Sequence, residues 1–273
     1  MSYYEVLTAA IADLTRHGFD SAERVAYWQA RLREAAEKSM ASTARMQEML
    51  REGLTAIYKR LVDNQGALKV HPGVSRFTLE RLRPHLRTEL DKRIMMSADL
   101  IKLNREQSIQ KTLQRFSGWA SSIPKGGSKT VDKVDTKSDI RKSLAKLPFE
   151  ERRVLIDQGH KLTASINEVI ASDGGAIAII WRSHWRQAGY NYRHNHKERD
   201  GRVYLLRDSW ARRGGLVKPG DAGYYDDITA VAEEPFCRCY GVYVYHLREL
   251  SADMLTKKGE KALAEARAKI AAL

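Results

Sequence analysis

Two cysteines and two histidines are the residues of this sequence best suited to bind a metal ion. Cys237 and Cys239 are the only two cysteines in 273 residues, and a single residue separates them. His194 and His196 have the same spacing earlier in the chain. Thiolate sulfur and imidazole nitrogen are preferred ligands of Zn²⁺, and four of them close a tetrahedral structural site. These four side chains are therefore the candidate metal ligands, and zinc is the candidate ion.

The spacing of these residues leaves a second interpretation open, in which no cofactor is bound. Structural zinc sites usually separate paired ligands by two to four residues, whereas one residue separates each pair here. A disulfide between Cys237 and Cys239 is disfavoured because closing so small a ring strains the bond. The alternative to a metal site is a pair of small core cysteines beside an ordered His196.

Parts of the same pattern occur in enzymes. His196-Lys197-Glu198 matches the His-x-Glu element of zinc deaminases, in which the glutamate transfers protons. Those enzymes place their two cysteines three positions apart, whereas Cys237 and Cys239 are two positions apart and lead into a strand. The tripeptide His194-Asn195-His196 spells the name of a nuclease class, but there the three residues are scattered through a larger motif. We expect no catalysis, and a zinc-dependent nuclease or deaminase-like enzyme is the alternative.

The chain is strongly basic. Its formal net charge is +13 at pH 7, and its isoelectric point is near 9.7. Such a surface attracts polyanions, and nucleic acid is the abundant polyanion of a cell. The expected non-specific contacts to double-stranded DNA are six cations: Lys125, Lys129, Lys133, Lys137, Arg141 and Lys142. The same residues could instead be a solvated linker, and the whole chain could be a DNA-binding adaptor without catalysis.

The apolar residues give no sign of a membrane or secretory segment. No apolar run approaches the roughly 18 residues that a membrane-spanning helix needs. The first residues lack the basic and apolar regions of a secretory signal. We therefore expect synthesis in a cytoplasm, with no membrane partner and no small-molecule substrate.

Hydrophobic spacing divides the chain into a helical and a mixed part. Apolar residues recur every three or four positions through residues 1–120, which predicts amphipathic helices, the second of them running to about Val62. A further helix, from about Arg76 to Phe116, is expected to be broken or kinked near Pro84. Residues 121–142 contain turn formers and lysine without apolar periodicity, which predicts a flexible basic linker.

The C-terminal half has a different character. A helical stretch over 148–185 is expected to include the apolar segment Ala176–Trp181. Strand formers in Arg202–Leu206 and Tyr240–Tyr245 predict short antiparallel strands within a small module, residues 143–250. Residues 251–273 are predicted to be a C-terminal helix. The fold class is therefore α+β, a mostly helical N-terminal region followed by a small α+β module.

Three short motifs follow one another in this module. An Arg-x-x-His turn comes first, an Asp-Gly pair before a strand second, and a Cys-Arg-Cys before another strand third. The residues concerned are Arg193, His196, Asp200, Gly201, Cys237, Arg238 and Cys239. In this order they resemble the phage head morphogenesis family, which includes the minor head protein F of phage Mu. The resemblance extends over residues 145–245.

The resemblance implies a structural role in a virion. Members of that family are minor head components that associate with the portal protein and act in head assembly, genome packaging or ejection. The expected partners are thus the portal protein, other capsid proteins and phage double-stranded DNA. The expected location is the capsid interior or the portal vertex, after synthesis in the host cytoplasm.

Overall fold

The computed structural model describes residues 1–272, which divide into two compact units. The first unit combines Met1–Arg51 with Met95–Val154, and the second combines Glu52–Ile94 with the chain from Leu155 onward. Two long helices, α4 (Arg76–Ser122) and α5 (Lys133–Asp173), contribute residues to both units. This division differs from the predicted boundary at residues 121–142, because local composition does not reveal which distant segments pack together.

The first unit is built from helices around one core. They are α1 (Tyr3–His17), α2 (Ala22–Ser39), the first part of α3 (Thr43–Tyr58), the second part of α4 and the first part of α5. The α1 helix begins with a capping box: the Glu5 amide donates to the Ser2 hydroxyl, and the Ser2 amide donates to the Glu5 carboxylate. Leu14, Leu32 and Phe116 are fully buried in the core of the first unit.

The predicted second helix is two helices. Helix α2 ends at Ser39, and Met40 is extended. The Ser42 hydroxyl accepts a hydrogen bond from the Arg45 amide at 3.2 Å and so caps the start of α3. The prediction of one helix to Val62 was wrong because the apolar spacing continues across this short break. Helix α4 is continuous through Pro84, so of the predicted break or kink the break is absent.

Part of the predicted linker is held against the end of α1. The Gly126 amide donates to the His17 carbonyl at 3.1 Å, and the Ser128 amide donates to the Thr15 carbonyl at 2.9 Å. Helix α5 begins at Lys133, where the Asp132 carboxylate accepts from two backbone amides. The linker prediction is therefore wrong for 133–142, because Asp132 supplies a helix cap that the lysine-rich composition obscured.

The second unit contains a three-stranded antiparallel sheet in the order β2-β1-β3. The strands are β1 (Ala178–Arg182), β2 (Val203–Leu205) and β3 (Tyr240–Val244). Ile179 of β1 lies opposite Tyr204 and Tyr243. The short helices α6 (His194–Glu198) and α7 (Trp210–Arg213) lie in the connections, and α8 (Lys257–Ala271) follows the sheet. The predicted α+β class, the two later strands and the last helix are confirmed.

The first strand was predicted to be helix, and burial on both faces of the sheet explains the error. Ile179 and Trp181 lie in one apolar cluster, whereas Ile177 and Ala178 lie in another. A strand that is covered on both faces shows a continuous apolar run instead of alternation, and such a run cannot be distinguished from a buried helix. Gly175, at φ +80°, follows α5 and precedes this strand.

Candidate metal centre

Three of the four candidate ligands come together in the second unit. His196 is in α6, and Cys237 and Cys239 are in the turn that leads into β3. All three side chains are buried, with at most 4% exposed. The Nδ1 atom of His196 lies 3.5 Å from each sulfur, and the three ligand atoms are within 4.8 Å of one another.

The turn before β3 directs both sulfurs to the same side. Phe236 adopts a left-handed backbone, at φ 60°, and its amide donates to the Asp157 carboxylate at 2.6 Å. The Cys237 amide closes the turn on the Glu234 carbonyl at 3.1 Å. The Cys239 amide then donates to the Cys237 sulfur at 3.4 Å. This local geometry brings two cysteines of i, i+2 spacing onto one histidine.

The separations suit a tetrahedral metal site. With Zn–N near 2.0 Å and Zn–S near 2.3 Å, a nitrogen and a sulfur bound to one zinc ion at the tetrahedral angle are about 3.5 Å apart. Both separations from His196 Nδ1 to a sulfur are close to that value. Two thiolates and one imidazole are ligand types that zinc accepts. Hydrogen bonding of a thiol to the imidazole would also fit 3.5 Å, so the geometry permits zinc without requiring it.

A carboxylate orients the histidine from its other side. The Glu234 carboxylate lies 2.7 Å from His196 Nε2, and Arg193 Nε lies 3.0 Å from the same oxygen. Arg193 also donates to the Pro235 carbonyl at 2.9 Å. A carboxylate on the distal nitrogen fixes the ring orientation of a metal-binding histidine and raises its basicity. Sequence reasoning did not select Glu234, although it stands three residues before Cys237.

The pKa values of the two thiols are shifted in opposite directions. A hydrogen bond from Cys239 lowers the pKa of Cys237, and amide donors and His196 add to this effect. The same hydrogen bond and burial raise the pKa of Cys239, although interactions with Ser183 and Trp181 act in the opposite direction. The lowered pKa of Cys237 favours its thiolate, the form that binds metal.

The fourth predicted ligand is not part of the cluster. His194 is exposed at the start of α6, and among residues 1–272 the grouped ligands are His196, Cys237 and Cys239. The prediction of His194 as a ligand was wrong because residues two apart on a helical turn point in different directions. Glu198, the proton-transfer residue of the deaminase alternative, is also exposed and outside the cluster.

Asp200 and Gly201 shape the connection from α6 to β2. The Asp200 carboxylate accepts from the Ser183 amide and from the Trp185 indole, both at 2.9 Å. These donors, the Ser183 amide first, lower the pKa of Asp200. Gly201 has φ +80° and donates its amide to the Trp181 carbonyl at 2.8 Å. Both motif residues therefore form hydrogen bonds with the backbone next to the cluster.

The six predicted DNA-contacting cations lie in the first unit. All are exposed except Lys137, which is half-buried and lies over the Tyr4 ring at 5.1 Å. Three of them follow at four-residue intervals on one face of α5, and we call Lys133, Lys137 and Arg141 the α5 basic stripe. The other three, Lys125, Lys129 and Lys142, are outside that stripe.

Comparison with known proteins gives no match. No family model matches the chain, and neither a curated protein nor a solved structure is similar to it. No helix within residues 1–272 is both long and apolar enough to cross a membrane.

Proposed function

We propose that this chain is a non-enzymatic structural protein, a minor head protein of a tailed phage. Its role would be in head morphogenesis and in packaging or ejection of the genome. The proposal rests on the resemblance to the phage head morphogenesis family and on the contacts that the motif residues make in the fold.

The observation that carries the proposal is that the motif residues join chain segments together. Arg193 bonds the turn at Pro235, and His196 meets both cysteines. Asp200 joins the end of β1 to the segment before β2. Residues that close a small module in this way support a structural role, whereas catalysis would require reactive groups that reach a substrate.

Zinc binding would strengthen this module. A small sheet with only three strands buries little surface by itself, and a structural zinc ion contributes folding free energy directly. His196, Cys237 and Cys239 would hold the ion, with Glu234 orienting the imidazole. The metal would then have a structural function.

Contact with DNA follows from the charge. A capsid interior contains DNA at high density, so cations on a protein surface there replace counterions on phosphates. The α5 basic stripe presents three cations on one helical face. It is the proposed contact to double-stranded DNA.

Mass spectrometry of purified particles tests the proposal. We expect the chain at low copy number in mature heads, and we expect particles from a deletion mutant to be deficient in assembly or DNA content. Complementation with His196→Ala should fail, whereas the matched variant His194→Ala should restore particle yield. Absence of the chain from particles, together with normal yield in the deletion mutant, would refute the proposed function.

A further inference from the structure

A small cavity lies beside the metal cluster in the second unit. It has a volume of about 240 Å³, and Cys239 forms part of its wall. The cavity is smaller than the 300–1,000 Å³ typical of drug-sized ligands. At about 30 Å³ for each water, it has room for one small ion with a few waters.

Three nitrogen-bearing side chains that can carry positive charge line this cavity. They are His160, His184 and Arg238. Among the described residues of its wall there is no aspartate or glutamate. Two carboxylates outside the wall act on residues that line it. Asp157 acts on His160 but already accepts from the Phe236 amide and contacts Lys161. Glu168 acts on Tyr243. Arg238 is therefore the permanent cation of the wall, and no carboxylate of the wall neutralises it.

The electrostatic interactions of His160 agree with this arrangement. Burial and then the Arg238 charge lower its pKa, and His184 adds to the effect while Asp157 opposes it. Arg238 and His184 are thus each close enough to His160 to disfavour its charged form. An anion placed among them would offset that effect.

An unsatisfied hydroxyl is a second, independent feature of the cavity wall. Tyr243 lines the cavity, is only 6% exposed, and its hydroxyl has no hydrogen-bond partner in the described structure. A buried hydroxyl without a partner is costly, so most such groups are satisfied by protein, water or a ligand. Thr163 also lines the wall, but its hydroxyl already donates to the Gly159 carbonyl at 2.9 Å.

We propose that this cavity binds a phosphoryl group, in which a tetrahedral oxyanion accepts hydrogen bonds from Arg238, His184 and Tyr243. Arginine presents a planar fork of donors to such an anion, and the other donors approach from separate directions. The group could belong to inorganic phosphate or to a nucleic-acid backbone. The proposal concerns binding alone and does not depend on a role in phage particles.

Calorimetric titration of the full-length protein tests the site in two arms at fixed ionic strength. Inorganic phosphate is the ligand in the first arm, and a short DNA duplex is the ligand in the second. We expect one phosphate per chain, with Arg238→Gln weakening binding by about tenfold or more. Tyr243→Phe should weaken it about threefold, because only one neutral hydrogen bond is lost. Arg213→Gln is the matched control, an exposed arginine of α7 outside the cavity.

The two arms distinguish the sources of the phosphoryl group. Arg238-dependent binding of phosphate alone identifies a small-anion site. Arg238-dependent binding of both phosphate and the DNA duplex identifies a site that DNA phosphates reach. Either result supports the proposal. It is overturned if neither ligand binds saturably, or if Arg238→Gln and Arg213→Gln weaken binding equally. Should Arg238→Gln fail to fold, His184→Gln and Tyr243→Phe provide the same test, and unchanged affinity in both overturns the proposal.

Discussion

Zinc should stabilise the second unit through His196, and replacing this residue should abolish the effect. The test compares His196→Ala with His194→Ala, two substitutions of the same residue type two positions apart. His196 is buried against both sulfurs, whereas His194 is exposed and outside the cluster. Loss of one of three protein ligands should remove most of the zinc affinity, while the exposed histidine should contribute nothing.

The size of the effect follows from linkage. Zinc at a concentration of one hundred times its Kd stabilises the folded state by about 2.7 kcal/mol. A unit of 150–250 residues gains about 2–4 °C in Tm for each kcal/mol. We therefore expect zinc to raise the Tm of the wild type by roughly 5–11 °C. The shift should be retained in His194→Ala and lost in His196→Ala, Cys237→Ser and Cys239→Ser.

Differential scanning calorimetry with and without a chelator measures the shift, and elemental analysis measures the zinc content. Comparing the Tm of each variant with and without the chelator separates metal binding from the packing that is lost when a buried side chain is removed. The reasoning is refuted if the folded protein contains no zinc and its Tm does not respond to zinc. Equal responses of His194→Ala and His196→Ala would refute it as well.

Three further predictions follow from local geometry. Gly127→Ala should destabilise the first unit by about 2 kcal/mol in chemical denaturation, because its Cβ would overlap the Thr15 and Arg16 carbonyl oxygens. Asp200→Asn should cost about 1 kcal/mol at pH 7, a value discounted for solvent exposure. Because the pKa of Asp200 is lowered in the fold, its contribution is present above the ordinary carboxyl pKa and is lost as pH falls through the lower folded value. Replacing the α5 basic stripe by glutamine should weaken DNA binding and reduce the slope of log K against log salt by up to about 3.

Each of these predictions has its own control. Gly126 has the same φ of +91° as Gly127, but nothing lies within 4 Å of its added Cβ, so Gly126→Ala isolates backbone strain. Equal costs at the two glycines would contradict the packing argument. A difference in the free energy of unfolding between Asp200→Asn and wild type that stays constant from pH 7 to pH 2 would contradict the electrostatic argument for Asp200. For DNA binding, the control removes three exposed lysines of α8: Lys257, Lys261 and Lys269. A similar loss of slope in that control would show that total charge, rather than the stripe, determines affinity.

Much of the secondary structure can be predicted from local patterns because those patterns have local causes. The last helix begins where Thr256 caps it, and β3 consists largely of strand formers. The apolar run Ala176–Trp181 could not be assigned by pattern alone. Its identity as strand depends on two layers of side chains that cover opposite faces of the sheet, and those layers come from distant parts of the sequence.

The candidate site shows the same distinction between residue type and position. Cysteine and histidine types suffice to select His196, Cys237 and Cys239. They do not distinguish His196 from His194, because only the direction of the α6 turn separates a buried ring from an exposed one. They also do not select Glu234, whose proximity to His196 depends on the turn around Phe236.

The one-residue spacing of the cysteines places Arg238 directly between the two metal-ligand candidates. Cys237 and Cys239 present both sulfurs to His196, and Arg238 between them lines the neighbouring cavity and lies over the Tyr190 ring at 5.3 Å. The tripeptide thereby separates two kinds of chemistry, soft ligands for a cation and a guanidinium for an anion. Cys239 belongs to both the cluster and the cavity wall, so the two proposed sites share one buried residue.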